Sequence, residues 1–194
     1  MDHTAPTTHP IHNLLRERWS PYVFDPDRGV TEADLRALFE ASRWAMSSYN
    51  AQPWRYIVGV RERSPEVWKQ VLSVLVEGNQ PWAKNAPVLA LGLVEHHFEH
   101  NNQENKAAVH DLGAASAFLT FEATARGLRV HQMIGIEPDK AREVFYISGS
   151  LEPLTALAIG YAGILADSDK EYAKRDTRER QRKPLENIVI HGGF

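Results

Sequence analysis

Residues 40–56 read Glu40-Ala41-Ser42-Arg43-Trp44-Ala45-Met46-Ser47-Ser48-Tyr49-Asn50-Ala51-Gln52-Pro53-Trp54-Arg55-Tyr56, and three kinds of segment meet there. Upstream, Thr31 followed by Asp34 has capping-box spacing. Leu35, Leu38, Phe39, Ser42 and Ala45 then share one face at helical period, which predicts a helix over 31–46. Downstream, Trp54–Val60 is rich in aromatic and β-branched residues and reads as a strand. Between them two small hydroxyls, Ser47 and Ser48, precede two carboxamides, Asn50 and Gln52. Each carboxamide both donates and accepts, so the array suits the edge of a planar heterocycle; it equally suits a polar turn that caps the helix.

Outward from this stretch, helix and strand signals alternate. Ser64-Pro65 opens a helix carrying Val67, Val71, Leu72 and Leu75, and 86–94 is an apolar run of the length of a covered strand. The alanine-rich segment 105–126 carries Val109, Leu112, Ala115, Ala117, Leu119 and Ala123. It stops at Gly127, a good residue for the position after a helix end, and is the longest and most apolar predicted helix. Two further strands are predicted over 128–134 and 155–162, with a helix started by Pro138 over 139–146 between them. No repeat or linker divides the chain, so a single domain over 11–194 is expected, opening on a short helix over 11–15. Residues 1–10 are polar, hold two prolines and are expected to fray. At the other end Leu185, Ile188, Val189 and Ile190 follow a densely charged stretch over 168–183. An apolar chain end has little reason to exist unless it packs, which suggests docking on a partner subunit.

Composition narrows the chemistry. The 194 residues are 43% hydrophobic and 24% charged, proportions of a folded globule that can bury a core. No cysteine is present, which excludes disulfide scaffolds, thiolate metal sites and cysteine nucleophiles. A net charge of −3 with interspersed signs offers no field for nucleic acid or an anionic membrane. No apolar run approaches the roughly 20 residues of a membrane helix, and no secretory signal opens the chain, so a cytoplasmic protein is expected. His96, His97, His100 and His110 match no metal-ligand spacing, and no metal is expected. Ser20, Ser47 and Ser48 lie in no nucleophile elbow, and no glycine-rich phosphate loop follows a predicted strand. Two basic stretches stay open to two readings. Arg16-Glu17-Arg18-Trp19-Ser20-Pro21-Tyr22 could hold a phosphate or be a surface turn. Arg175, Arg178, Arg180, Arg182 and Lys183, among acidic residues, form a solvated charged face or a phosphate site.

Taken in order, these segments resemble the FMN-dependent nitroreductase family from about residue 16 to 189. The stretch 40–56 resembles that family's helix ending in a serine pair and Asn-x-Gln-Pro-Trp. Arg18-Trp19-Ser20-Pro21-Tyr22, Asp111-Leu112-Gly113-Ala114-Ala115, Ala158-Ile159-Gly160-Tyr161 and Arg180-Gln181-Arg182-Lys183-Pro184-Leu185 support the likeness. The resemblance implies an α+β homodimer with a mostly antiparallel central sheet flanked by helices. Each C-terminal tail would extend as a strand onto its partner, and two FMN sites would lie at the interface. By the same resemblance Arg18, Ser20, Arg180 and Arg182 hold the FMN phosphate, with Trp19 adding a backbone or ring contact. Met46, Ser47, Ser48 and Asn50 reach the flavin from the other subunit, and Gln52 joins them as the second carboxamide. Met133, Ile134 and Gly135, within Gln132-Met133-Ile134-Gly135-Ile136, pass beside the isoalloxazine ring and offer a backbone N–H to flavin N5, and Asn79 meets the pyrimidine edge. Tyr22 stands where the family often has a basic residue, its hydroxyl a possible substitute, and Met46 where it often has proline. The implied activity is ping-pong: NADH or NADPH reduces FMN, and a small electron-poor acceptor such as a nitroaromatic, quinone or enone is then reduced. FMN carries the redox chemistry, so no catalytic side chain is assigned. The alternatives are family members with another use of FMN: dehalogenation, consumption of reduced flavin, or flavin storage or sensing. The residues over the open flavin face, in 95–110, would decide among them.

Overall fold

In chain order the elements are α1 (Asn13–Glu17), α2 (Glu32–Arg43), β1 (Trp54–Val60), α3 (Pro65–Ser73), α4 (Gln80–Ala83), β2 (Val88–Glu95), α5 (Ala108–Ala125), β3 (Arg129–Met133), α6 (Pro138–Phe145), β4 (Leu151–Gly160) and α7 (Lys170–Asp176). Single 3-10 turns lie at Ser48–Asn50, Leu165–Asp167 and Leu185–Asn187. This computed structural model describes residues 3–147 and 149–192. Met1, Asp2, Ser148, Gly193 and Phe194, which fall in the expected N-terminal segment and the expected domain, lie outside the described residues.

The strands form one sheet in the order β1-β2-β4-β3, and every pairing is antiparallel. β2 is central and buried over all but its last residue, so its side chains alternate between two apolar layers. Leu89, Leu91 and Leu93 face Trp68, Val71 and Leu75 around α3, with Trp82 of α4 and Ala141 of α6. Val88 and Ala90 face Leu35 and Leu38 of α2 and Leu119 and Ala123 of α5. Each fully buried leucine contributes roughly 1.5–3 kcal/mol relative to exposure, so the sheet and its two helical layers hold one another in place.

Local signals fix several boundaries. Thr31 Oγ1 accepts the Asp34 N–H at 3.0 Å and donates to Asp34 Oδ2 at 2.6 Å, the cap that starts α2. α5 ends where Gly127, at φ 75°, lets Leu128 N–H reach the Ala123 carbonyl at 2.8 Å and Gly127 N–H that of Thr124 at 3.1 Å. It begins later than expected because Asn105 Oδ1 accepts the Ala107 N–H and holds a turn there instead. β4 begins at Leu151 rather than 155. Its Pro153 is accommodated by a register shift opposite Gly92 and Leu93, so a residue without an N–H fits inside the strand. α4 and α7 lie where the sequence signals gave no helix. α7 opens on Asp169, whose carboxylate accepts the Glu171 N–H at 2.8 Å, and closes on the buried Asp176.

Three surface features bear on the site. The segment expected to fray is laid against the body where His3 stacks on Trp19 at 3.7 Å and Ala5 N–H reaches the Arg16 carbonyl at 2.9 Å. α5 carries apolar residues well beyond its buried face: in the single chain Val109 and Gly113 are exposed and Ala114, Ala117, Phe118 and Phe121 only partly covered. Ile188 and Ile190 are likewise exposed. Among the described residues no helix is long and apolar enough to cross a membrane.

Candidate functional site

The chain leaves α1 at Arg18 in an extended conformation that a guanidinium-to-hydroxyl bond steadies: Arg18 Nη1 donates to Ser20 Oγ at 3.1 Å. Both side chains line a cavity of about 380 Å³ with Thr120 of α5, Gln132 of β3 and Arg182. Gln132 Nε2 donates to Thr120 Oγ1 at 2.9 Å and to the Ser116 carbonyl at 3.2 Å. Among the described residues no carboxylate pairs with Arg18 or Arg182. Burial first, and then the charges of Arg180 and Arg182, draw the Arg18 guanidinium below its usual range. Clustered cations with no counter-charge beside a hydroxyl and an amide make a site for an anion, above all a phosphate, which guanidinium groups can grip in a bidentate fashion.

Three of the residues expected at the phosphate face elsewhere. Trp19 is buried against His3. Tyr22 packs edge-on against Trp82 at 5.1 Å and His131 at 4.8 Å, and lines a separate cavity of about 550 Å³ with Phe24 and Tyr172. Arg180 donates to the backbone carbonyls of His3, Arg16 and Arg18.

From Gln132 the chain runs past buried Met133 to Ile134, whose side chain is 77% exposed, and Gly135. Asn79 Nδ2 and Val76 N–H both donate to the Gly135 carbonyl at 3.1 Å. A Cβ at Gly135 would stand 2.6 Å from Asn79 Nδ2 and 2.9 Å from Val76 Cγ2, so the close approach needs glycine. Among the described residues the N–H groups of Ile134 and Gly135 have no acceptor. The structure thus gathers Gly135 and Asn79 at one edge, beside Ile134 and a few residues along the chain from Gln132 of the cationic cavity.

The serine and carboxamide turn forms a second group. Asp111, in the first turn of α5 and only 3% exposed, accepts Ser48 N–H at 2.8 Å and Ser47 Oγ at 3.3 Å through Oδ2. Ser47 Oγ accepts Gln52 N–H at 2.7 Å, and Gln52 Nε2 reaches the carbonyl and Oδ1 of Asn50 at 3.0 and 3.1 Å. Tyr49, Asn50 and Gln52 sit at φ 52°, 54° and 47°, a left-handed backbone that non-glycine residues hold only when the surroundings over-determine it. Met46 and Tyr49 point to solvent. In the sequence Asp111 stands out only as part of a motif; its anchoring role has no local signal, because its partners lie more than sixty positions earlier. Thr120 lies nine positions after Asp111 along α5, roughly 13 Å, so one chain keeps the two groups apart.

Three of the four histidines over 96–110 meet carboxylates, His96 with Glu152 at 2.5 Å, His97 with Glu95 at 3.8 Å and His110 with Asp111 at 3.2 Å. Among the described residues no three acidic or imidazole groups converge as metal ligands.

Comparison with known proteins assigns this geometry to a family, since the model of the nitroreductase family matches residues 15–161. The chain belongs to the nitroreductase family. A solved structure described as an oxidoreductase containing FMN superposes on this nitroreductase-family chain with a TM-score of 0.90 at 30% identity. The match covers 98% of this chain and 96% of that one. An uncharacterized 15.4 kDa protein of Mycolicibacterium smegmatis is 33% identical over 71% of this chain and 95% of its own length. The major NAD(P)H-flavin oxidoreductase of Aliivibrio fischeri is 35% identical over 40% of this chain and 35% of its own length.

Proposed function

We propose that the protein is a cytoplasmic, homodimeric, FMN-dependent NAD(P)H oxidoreductase that reduces a small electron-poor acceptor such as a nitroaromatic, quinone or enone. The observation that carries the reading is the uncompensated pair Arg18 and Arg182 on a cavity lined by Gln132, with the N–H groups of Ile134 and Gly135, which have no acceptor among the described residues, two and three positions further along the chain. A phosphate wants the first feature, and the hydrogen-bonding edge of a flavin the second. The FMN-containing structural neighbour and the flavin oxidoreductase relative support the same group.

When bound, FMN supplies the transfer of reducing equivalents from nucleotide to acceptor. The chain's own residues bind and orient. Arg18, Ser20 and Arg182 hold the phosphate. The Ile134 and Gly135 N–H groups donate to the flavin at its N5 edge, and Asn79 fixes Gly135 while facing the pyrimidine side. The loop over 47–52 offers carboxamides and hydroxyls from a second copy of the chain. That second copy would also cover the bare side of α5, where Val109 is exposed and Ala114, Ala117, Phe118 and Phe121 are only partly covered. The exposed Ile188 and Ile190 fit a tail that pairs with the partner.

The test is an absorption spectrum of the purified protein, with heat-released flavin identified chromatographically, followed by anaerobic addition of NADH and then NADPH. One FMN per chain that bleaches with either nucleotide is the expected result. Bound FMN that neither nucleotide reduces would move the reading to flavin storage, sensing or another reductant. A colourless protein that takes up no added FMN would refute it.

A further inference from the structure

The end of α7 and the arm that follows it grip the segment 16–23 on both sides of Arg18 and Ser20. Upstream, Arg180 Nη1 donates to the carbonyls of His3 at 2.5 Å and Arg16 at 3.0 Å, while Nη2 donates to that of Arg18 at 2.8 Å. Downstream, the buried Asp176 carboxylate accepts Tyr22 N–H at 2.8 Å and Val23 N–H at 2.9 Å. Only Trp19, Ser20 and Pro21 lie between the two clamps. Three of the five N–H groups of Arg180 are thereby committed in a planar fork, a geometry that an ammonium cannot reproduce. Arg182, two positions on, lines the cationic cavity, and Arg180 does not.

We propose that Arg180 is a positioning residue: with Asp176 it fixes the backbone around Arg18 and Ser20 so that their side chains stay turned into the anion cavity, while Arg182 is the arm residue that touches the anion. The inference rests on the FMN reading above. It assigns to Arg180 a role through Arg18 rather than on the phosphate itself. Docking of the arm then completes the anion site twice over, by adding Arg182 and by setting the turn that Arg18 leaves from.

Flavin titrations with FMN and with riboflavin, which lacks the phosphate, test this in Arg180→Ala, Arg180→Lys and the same changes made on Arg18→Ala. Arg180→Lys keeps the charge and most of the side chain, and so serves if Arg180→Ala does not fold. The expected result is that both variants weaken FMN roughly 10-fold, the scale of losing a supporting partner of a ligating side chain, with riboflavin changed less than about twofold. On the Arg18→Ala background the loss should shrink to under about twofold, because the residue acts through Arg18. Arg180→Lys that binds FMN like the wild type while Arg180→Ala does not would overturn the inference in favour of a charge placed on the phosphate. An undiminished loss on the Arg18→Ala background would do the same. Variants with a lowered Tm but unchanged FMN affinity would overturn it in favour of a purely structural role. A wild-type chain that takes up no FMN would refute the functional reading itself, an outcome distinct from these because the wild type is then silent.

Discussion

Asp111 is the residue on which the loop over 47–52 depends, and its replacement by alanine has a magnitude that follows from the geometry. Of its three hydrogen bonds, the one to His110 at 3.2 Å involves an imidazole that is 81% exposed and contributes little. The one from Ser47 Oγ, at 3.3 Å, is long. The Ser48 N–H at 2.8 Å on a buried carboxylate is the strong one, about 1.5–3 kcal/mol for a bond to a charged acceptor. Its loss also frees three left-handed residues to relax, so the damage should be local: the loop gives up its shape while the sheet remains. At 2–4 °C per kcal/mol for a chain of this size, about 2–3 kcal/mol lowers Tm by roughly 4–12 °C. If FMN has to re-order the loop, the same energy weakens its binding roughly 30- to 150-fold. Thermal melts and flavin fluorescence titrations of Asp111→Ala read both quantities. Asp111→Asn, which keeps a neutral acceptor for Ser48 N–H, should fall between wild type and alanine. An alanine variant that melts earlier yet binds FMN within threefold of the wild type would refute the argument, since the loop would then hold no flavin.

Arg182→Ala should weaken FMN by the worth of one charge-assisted contact, about 1.5–3 kcal/mol, and leave riboflavin binding unchanged; equal FMN affinity in the variant would remove Arg182 from the phosphate. Gly135→Ala should cost about 1–3 kcal/mol as Asn79 and Val76 are pushed aside, seen as a lower Tm, and Asn79→Ala in the same chain should recover part of it. His131 is buried, which holds its imidazole below the ordinary value of about 6.5, with a bond to the Pro21 carbonyl and the charge of Arg18 as lesser influences. The unfolded chain therefore takes up this proton first, so stability is intact above about pH 6.5 and falls as the pH drops towards the lower folded value. Melts from pH 7.5 to 5.5 should be flatter for His131→Gln than for wild type, and parallel curves would exclude that contribution. Linkage makes FMN binding and dimer formation reciprocal if the loop over 47–52 comes from a second copy: sedimentation should show FMN raising the dimer fraction at low concentration, and a monomer that binds FMN fully would exclude the shared site.

What could be read from the chain and what could not divides along one physical line. The start of α2, the span of β1 and the end of α5 rest on chemistry between near neighbours, Thr31 with Asp34 or Gly127 with the last turn, and such chemistry is written in the residue types themselves. The same holds for the loop over 47–52, whose hydroxyls and carboxamides announce themselves in order. α7 was hidden because its charged composition matches any solvated face, while the residue that ties it down, Asp176, finds its partners 153 and 154 positions away. Those partners are backbone N–H groups, as the partners of Arg180 are backbone carbonyls, and the backbone is the same at every position. A side chain that binds the main chain over such distances leaves no complementary residue to pair with it in the sequence. Arg180 and Arg182 are therefore indistinguishable as letters, two arginines of one basic run, and only the fold separates the one turned to carbonyls from the one turned to a cavity. A motif can name side chains that would meet a ligand directly, but it cannot name the residues behind them, whose backbone targets carry no identity.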